Sequence, residues 1–161
     1  MREYILDSNI FIQSKNGPYG FDFAPGFWKF IDDKASEGLI YTSTMVYDEI
    51  ADGEDELADW FKERRTSGMF LAPESVTQGF FGEIADFVTR SYSTVQAQYF
   101  LSGADPWVIA EARNSRSIVV THETLVPSNS TKVKIPNICK QFNIPYMNTY
   151  EMLRSLRAKL N

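Results

Sequence analysis

Four acids, Asp7, Glu49, Asp105 and Glu123, stand at places in the chain from which an α/β fold would gather them. Asp7 ends the apolar run Tyr4-Ile5-Leu6. That run is too short for a buried helix and too continuous for a half-exposed strand, so it predicts a central parallel strand covered on both faces. The carboxyl ends of such strands are where open α/β sheets bind ligands. Glu49 lies on the helix predicted after a second strand; at about 100° per residue it falls in the sector of Met45, Val46 and Ile50, while Asp48 and Asp52 turn away. Asp105, just before Pro106, opens a helix in line with Val108, Ile109 and Ala112, with Glu111 well to one side. Glu123 leaves the apolar run Ile118-Val119-Val120 at the same edge as Asp7. Each acid taken alone has a plainer use: Asp7 or Ser8 as a helix cap, Glu49 as a boundary residue of an acidic helix, Asp105 as a cap before proline, Glu123 as an exposed loop acid.

The joint pattern points further. Four carboxylates gathered without basic partners repel one another and are driven to protonate unless a divalent cation sits among them. All-oxygen ligation, with no cysteine or histidine cluster, favours Mg²⁺ or Mn²⁺ over zinc. Such a cation serves phosphoryl chemistry, by activating water and stabilising charge on phosphate.

The elements that must position these acids alternate. Short strands are expected at 4–6, 39–42, 117–121 and 144–147, and helices at 9–13, 25–36, 44–53, 54–66, 74–90, 105–114, 136–142 and 149–160, with a short helix ending at Gly103. Gly17, Pro18 and Gly20 make 13–23 a loop, and 124–134 is another. The pattern is that of an α/β protein, a three-layer α/β/α sandwich with a mainly parallel central sheet. Its 161 residues and 43% hydrophobic content suit one domain spanning 1–161. A single cysteine, Cys139, and the lack of a leader pattern or of an apolar run near 18 residues lead us to expect a cytoplasmic protein that does not span a membrane.

Charge is unevenly spread. Six of the 16 Lys and Arg fall after residue 123 against one acid, Glu151, whereas the first 123 residues hold 20 of the 21 acids. Lys132 and Lys134 lead this basic tail; they are either a solvated face or a phosphate-binding surface beside the acidic site.

These residues resemble the PIN domain, the ribonuclease fold of VapC-like toxins, from the first strand to the last. The resemblance is carried by Leu6-Asp7-Ser8-Asn9, by Thr42-Ser43 followed by Glu49, by Gly103-Ala104-Asp105 entering a helix, and by Val119-Val120-Thr121-His122-Glu123. It implies that Asp7, Glu49 and Asp105 are metal-binding and catalytic carboxylates, with Glu123 standing where the family more usually has Asp. It also implies polar support from Asn9, Ser43 and Thr121, an RNA substrate, a cognate antitoxin and a homodimer. The activity it implies is Mg²⁺- or Mn²⁺-dependent endoribonuclease action by the toxin of a toxin–antitoxin pair.

Two alternatives belong to other classes. One is a PIN-like module that binds RNA or protein without catalysis. The other is a phosphatase of the haloacid dehalogenase type with Asp7 as nucleophile; those enzymes carry Asp-x-Asp, and here the third place is Asn9. His122 is the only histidine, which argues against a Ser-His-Asp hydrolase. Cys139 on an apolar helix face, and Phe80, Phe81, Ile84 and Phe87 at helical spacing, read as core packing.

Overall fold

The computed structural model describes residues 2–161. Three apolar strands form the centre: β1 (Tyr4–Leu6), β2 (Ile40–Ser43) and β4 (Ile118–Val120), with β1 and β2 buried throughout. Short edge strands β3 (Phe70–Leu71) and β5 (Tyr146–Met147) complete a five-stranded sheet in the order β3-β2-β1-β4-β5. All four pairings are parallel, with Tyr4 opposite Ile40 on one side and Ile118 on the other.

Nine helices are present among the described residues: α1 (Ser8–Asn16), α2 (Pro25–Ser36), α3 (Thr44–Ala51), α4 (Glu56–Glu63), α5 (Ser75–Ser91), α6 (Thr94–Ser102), α7 (Asp105–Ser115), α8 (Ile135–Gln141) and α9 (Thr149–Ser155). α1, α3 and α4 pack on one another, and α5 to α8 form a second group around α7, which lies on β1, β2 and β4. The result is a three-layer α/β/α sandwich.

The strand order makes the ligand edge a matter of topology. The chain steps outward from β1 through β2 to β3, then crosses back to β4 on the far side of β1. Strand order therefore reverses between β1 and β4, and loops that diverge there leave a crevice at the carboxyl edge. Asp7 follows β1 and Glu123 follows β4. At that edge the Thr42 hydroxyl donates to the Leu6 carbonyl at 2.6 Å, fixing the end of β2 against the end of β1.

Packing explains where helices begin and stop. α1 runs on to Asn16, through the first part of the expected 13–23 loop, because Phe11 is buried edge-on against Phe61 of α4 at 4.9 Å and Ser14 is buried too. The expected terminal helix at 149–160 stops at Ser155 instead, and Arg157 takes a φ of 53° that no continuing helix allows. Residues 70–71, too short to identify by pattern, become an edge strand through pairing with β2. α7 buries most of its middle, Val108 to Ala112, because it is covered by the sheet below and α5 above. Phe81 stacks on Trp107 at 4.0 Å across that contact. Cys139 is fully buried, and burial pushes its thiol up to about 12, which leaves it inert as a nucleophile near neutral pH.

Candidate metal centre and nucleic-acid cleft

Asp7 does two things with its two oxygens. Its backbone is extended (φ −77°, ψ 166°), so Oδ1 caps α1, accepting from the backbone N–H groups of Asn9 at 2.6 Å and Ile10 at 3.2 Å. Oδ2 is buried and has no hydrogen-bond partner. An orphaned carboxylate oxygen in a fully buried side chain is costly, on the order of 1–3 kcal/mol or more, unless something else meets it. Burial pushes the Asp7 carboxyl up to about 6; nearby Thr121 eases its ionisation and Glu123 opposes it.

Asp105 begins α7 but does not cap it: the helix has Ala104 at its N-cap and no side-chain capping bond. The plainer use of Asp105 as a cap is thereby removed. Its carboxyl is pushed up to about 7, first by burial and then by the negative charges of Asp7, Glu123 and Glu49, with Lys134 acting in the opposite sense. The four acids thus lie within electrostatic reach of one another at the carboxyl edge.

Glu49 is more exposed than its helical projection suggests, since the lip on which it stands is open to solvent. Its direction is nevertheless toward the other acids. Oε2 accepts from the Ser8 hydroxyl at 2.8 Å and Oε1 from the backbone N–H of Ala104 at 2.9 Å, so this side chain bridges the two helical layers over the edge of the sheet. A Cβ on Gly103 would come within 3.3 Å of Oε1, which is why the chain passes so close there without a side chain. Asp48, one residue earlier, is exposed. Glu123 is held by the N–H of Ile135, which donates to Oε1 at 2.9 Å, while its own N–H donates to the Thr121 hydroxyl at 3.1 Å.

These groups face a cleft of about 860 Å³ lined by Asn9, Glu49, Asp105 and Glu123, with Lys132 and Lys134 on its rim and α6 along one wall. Asp7 and Thr121 are buried rather than part of the lining. Two expected substrate-binding residues are buried away from the cleft. Ser43 is buried and caps α3, accepting from Met45 N–H at 3.1 Å, so it cannot touch a substrate. Thr121 is equally inaccessible and shapes the turn to Glu123. The partners of Glu49, Ser8 and Ala104, were missed by sequence reasoning, although both sit inside the stretches that resemble the PIN pattern. His122 contacts Thr149 at 3.0 Å and is absent from the cleft lining.

The donor set, carboxylates with one orphaned buried oxygen, suits a hard divalent cation. Among the described residues no three such side chains stand close enough together as they lie to hold a metal ion. Glu49 and Glu123 turn part of their oxygens to neighbouring N–H and O–H donors. Asp7 and Asp105 could hold the ion, with Glu49 and Glu123 beside them keeping free lone pairs on their carboxylate oxygens.

The fold has solved counterparts. FitAcB from Neisseria gonorrhoeae is similar over 91% of this chain and 98% of its own, with a TM-score of 0.55 and 16% identity. VapBC-1 from nontypeable Haemophilus influenzae matches over 90% of this chain and 96% of its own, at TM-score 0.55 and 15% identity. VapBC2 from Rickettsia felis, solved with a DNA fragment from its promoter, matches over 90% and 97%, at TM-score 0.53 and 12% identity. At such identities the likeness is one of fold, and the fold is that of VapC-like PIN domains. No curated protein matches the sequence. The family is shown by its model: residues 4–160 match the domain of unknown function DUF4411, and the chain belongs to that family.

Proposed function

We propose that this protein is a metal-dependent endoribonuclease, acting as the toxin of a toxin–antitoxin pair. The observation that carries the reading is the buried, unpartnered Oδ2 of Asp7 beside Asp105, whose ionisation is opposed by three further carboxylates. A protein has little reason to keep that cost except to receive a cation. The chemistry that Mg²⁺ or Mn²⁺ supplies when bound is acidification of water and neutralisation of charge on the phosphate.

The chain's own residues supply the rest. Asp7 is oriented by its cap on α1, and Glu49 by Ser8 and Ala104. Lys132 and Lys134, on the cleft rim, offset the repulsion that an acidic floor exerts on a polyanion. Asn9 lines the same cleft and offers its amide to a substrate oxygen there.

A specific observation favours a second reading, a PIN-like module that binds without cutting: both oxygens of Glu49 are already satisfied within the protein. Titration calorimetry with Mn²⁺, paired with digestion of total RNA in Mg²⁺, separates the two. The nuclease reading expects metal binding and cleavage, both lost in Asp105→Asn without loss of folding. Absence of Mn²⁺ binding by the wild type would leave the binding module.

A further inference from the structure

The cleft is lined by unlike groups. Lys132 and Lys134 contribute positive charge, and α6 presents Val95 and Tyr99. These last two are four residues apart, on one helical face, and are 74% and 82% exposed, the most exposed large hydrophobic side chains among the described residues. Exposed apolar residues scattered singly need no explanation, but here the two extremes fall on the same wall of the same acidic cleft. No aromatic ring packs on Tyr99 among the described residues, so its face is free.

A ligand matching this lining offers negative charge to the lysines and a flat apolar face to the tyrosine. A nucleotide has that form: its phosphate faces the lysines and its base faces the tyrosine. A protein partner fits less well. The exposed apolar offering is Val95 and Tyr99 on α6 with the less exposed Ile12, far below the roughly 800 Å² per partner of a stable interface, and the same cleft is lined by carboxylates. Resting on the nuclease reading, we infer that Tyr99 is the platform on which a base beside the scissile phosphate stacks, and that α6 is therefore the wall that sets base preference. A base presents its face to a side chain only after leaving its own stack, so the nucleotide is splayed as it enters. Stacking grows with ring area, so a purine is preferred at that position. Tyr99 is a positioning residue for the substrate and has no part in the bond-breaking step.

The test uses the full chain. A randomised RNA is digested in Mn²⁺ and the cut ends are sequenced, which is expected to show purine enrichment at one position flanking the cut. Oligoribonucleotides carrying either that purine or an abasic residue there are then compared. Tyr99→Ala should lower kcat/KM on the intact oligonucleotide by about tenfold to a hundredfold, whereas on the abasic one it should change it by less than about twofold, since the contact is already missing. Tyr99→Phe should restore the wild-type rate. Equal losses on both oligonucleotides would make Tyr99 a structural residue, and no loss on either would leave it idle; both overturn the inference while RNA cleavage by the wild type keeps the nuclease reading standing. A change in sedimentation of Tyr99→Ala with unchanged cleavage would assign the face to a second copy. A wild type that cuts no RNA would remove both readings together.

Discussion

Asp7 and Glu111 are buried to nearly the same degree, at 0% and 3% exposure, on two sides of the same fold, and their surroundings differ in kind. Glu111, on α7, receives the hydroxyls of Ser115 at 2.7 Å and Thr77 at 3.3 Å, with the Asn114 amide at 3.5 Å. The Thr77 bond ties α7 to α5, the other two lie within α7, and every donor belongs to the protein. Asp7 has one oxygen fully used and the other left without a partner. A buried acid that only holds a structure together is satisfied by its own chain; one that stays unsatisfied is kept for something that arrives later. The neighbours repeat the contrast, since Asp7 lies among Asp105 and Glu123 while Glu111 lies among neutral donors.

Activity should break the comparison most sharply. Asp7→Asn and Glu49→Gln are expected to lower Mg²⁺-dependent cleavage by orders of magnitude, while Glu111→Gln and Asp48→Asn leave it within about twofold in proteins matched for folding. The variants should be measured at saturating and at limiting metal, because excess cation masks a weakened ligand. Equal effects at Asp48 and Glu49 would mean that α3 contributes no ligand and that Glu49 is only the bridge between the two helical layers.

Metal-free stability should show the reverse order. Glu111→Ala leaves the buried Thr77 hydroxyl without its acceptor and is expected to cost about 1–3 kcal/mol in urea unfolding. Asp7→Asn keeps a side chain able to cap α1 and removes a charge that burial disfavours, so stability should hold or rise. A large loss for Asp7→Asn would reduce that residue to its cap.

The smallest effect is the dependence on pH. The Asp7 and Asp105 carboxyls are raised to about 6 and about 7, above the value near 4 of an unfolded Asp. Between about pH 4 and pH 7 the folded metal-free protein therefore holds protons that the unfolded chain has lost. Its stability from these groups falls as pH rises through that window and is level above it. The difference in stability between wild type and Asp7→Asn isolates the share of Asp7, and it should grow in favour of the variant from pH 5 to pH 7. Mn²⁺ must displace the same protons, so its affinity for the wild type should climb across that range. A flat difference would mean that Asp7 ionises in the fold as it does in the open chain.

Much of this fold could be read locally. Tyr4–Leu6 and Ile118–Val120 are continuous apolar runs, which short buried strands require, and Asp105-Pro106 and Ser43-Thr44 mark helix starts by chemistry that acts within a few residues. The helical projection of α3 turned Glu49 rather than Asp48 toward the other acids because that angle is a property of the helix alone. Less could be learned where the deciding partner is distant. The two-residue strand β3 exists through pairing, and α1 outlasts its expected end through the burial of Phe11 against Phe61. Nor did a motif reveal that Ser43 and Thr121 are sealed away while Ser8 and Ala104 hold Glu49. The sequence by itself determined which residues carry charge and in what order they leave the strands. Only the tertiary structure decided which oxygen of Asp7 is left over, because an unsatisfied atom is defined by everything that packs around it and fails to reach it.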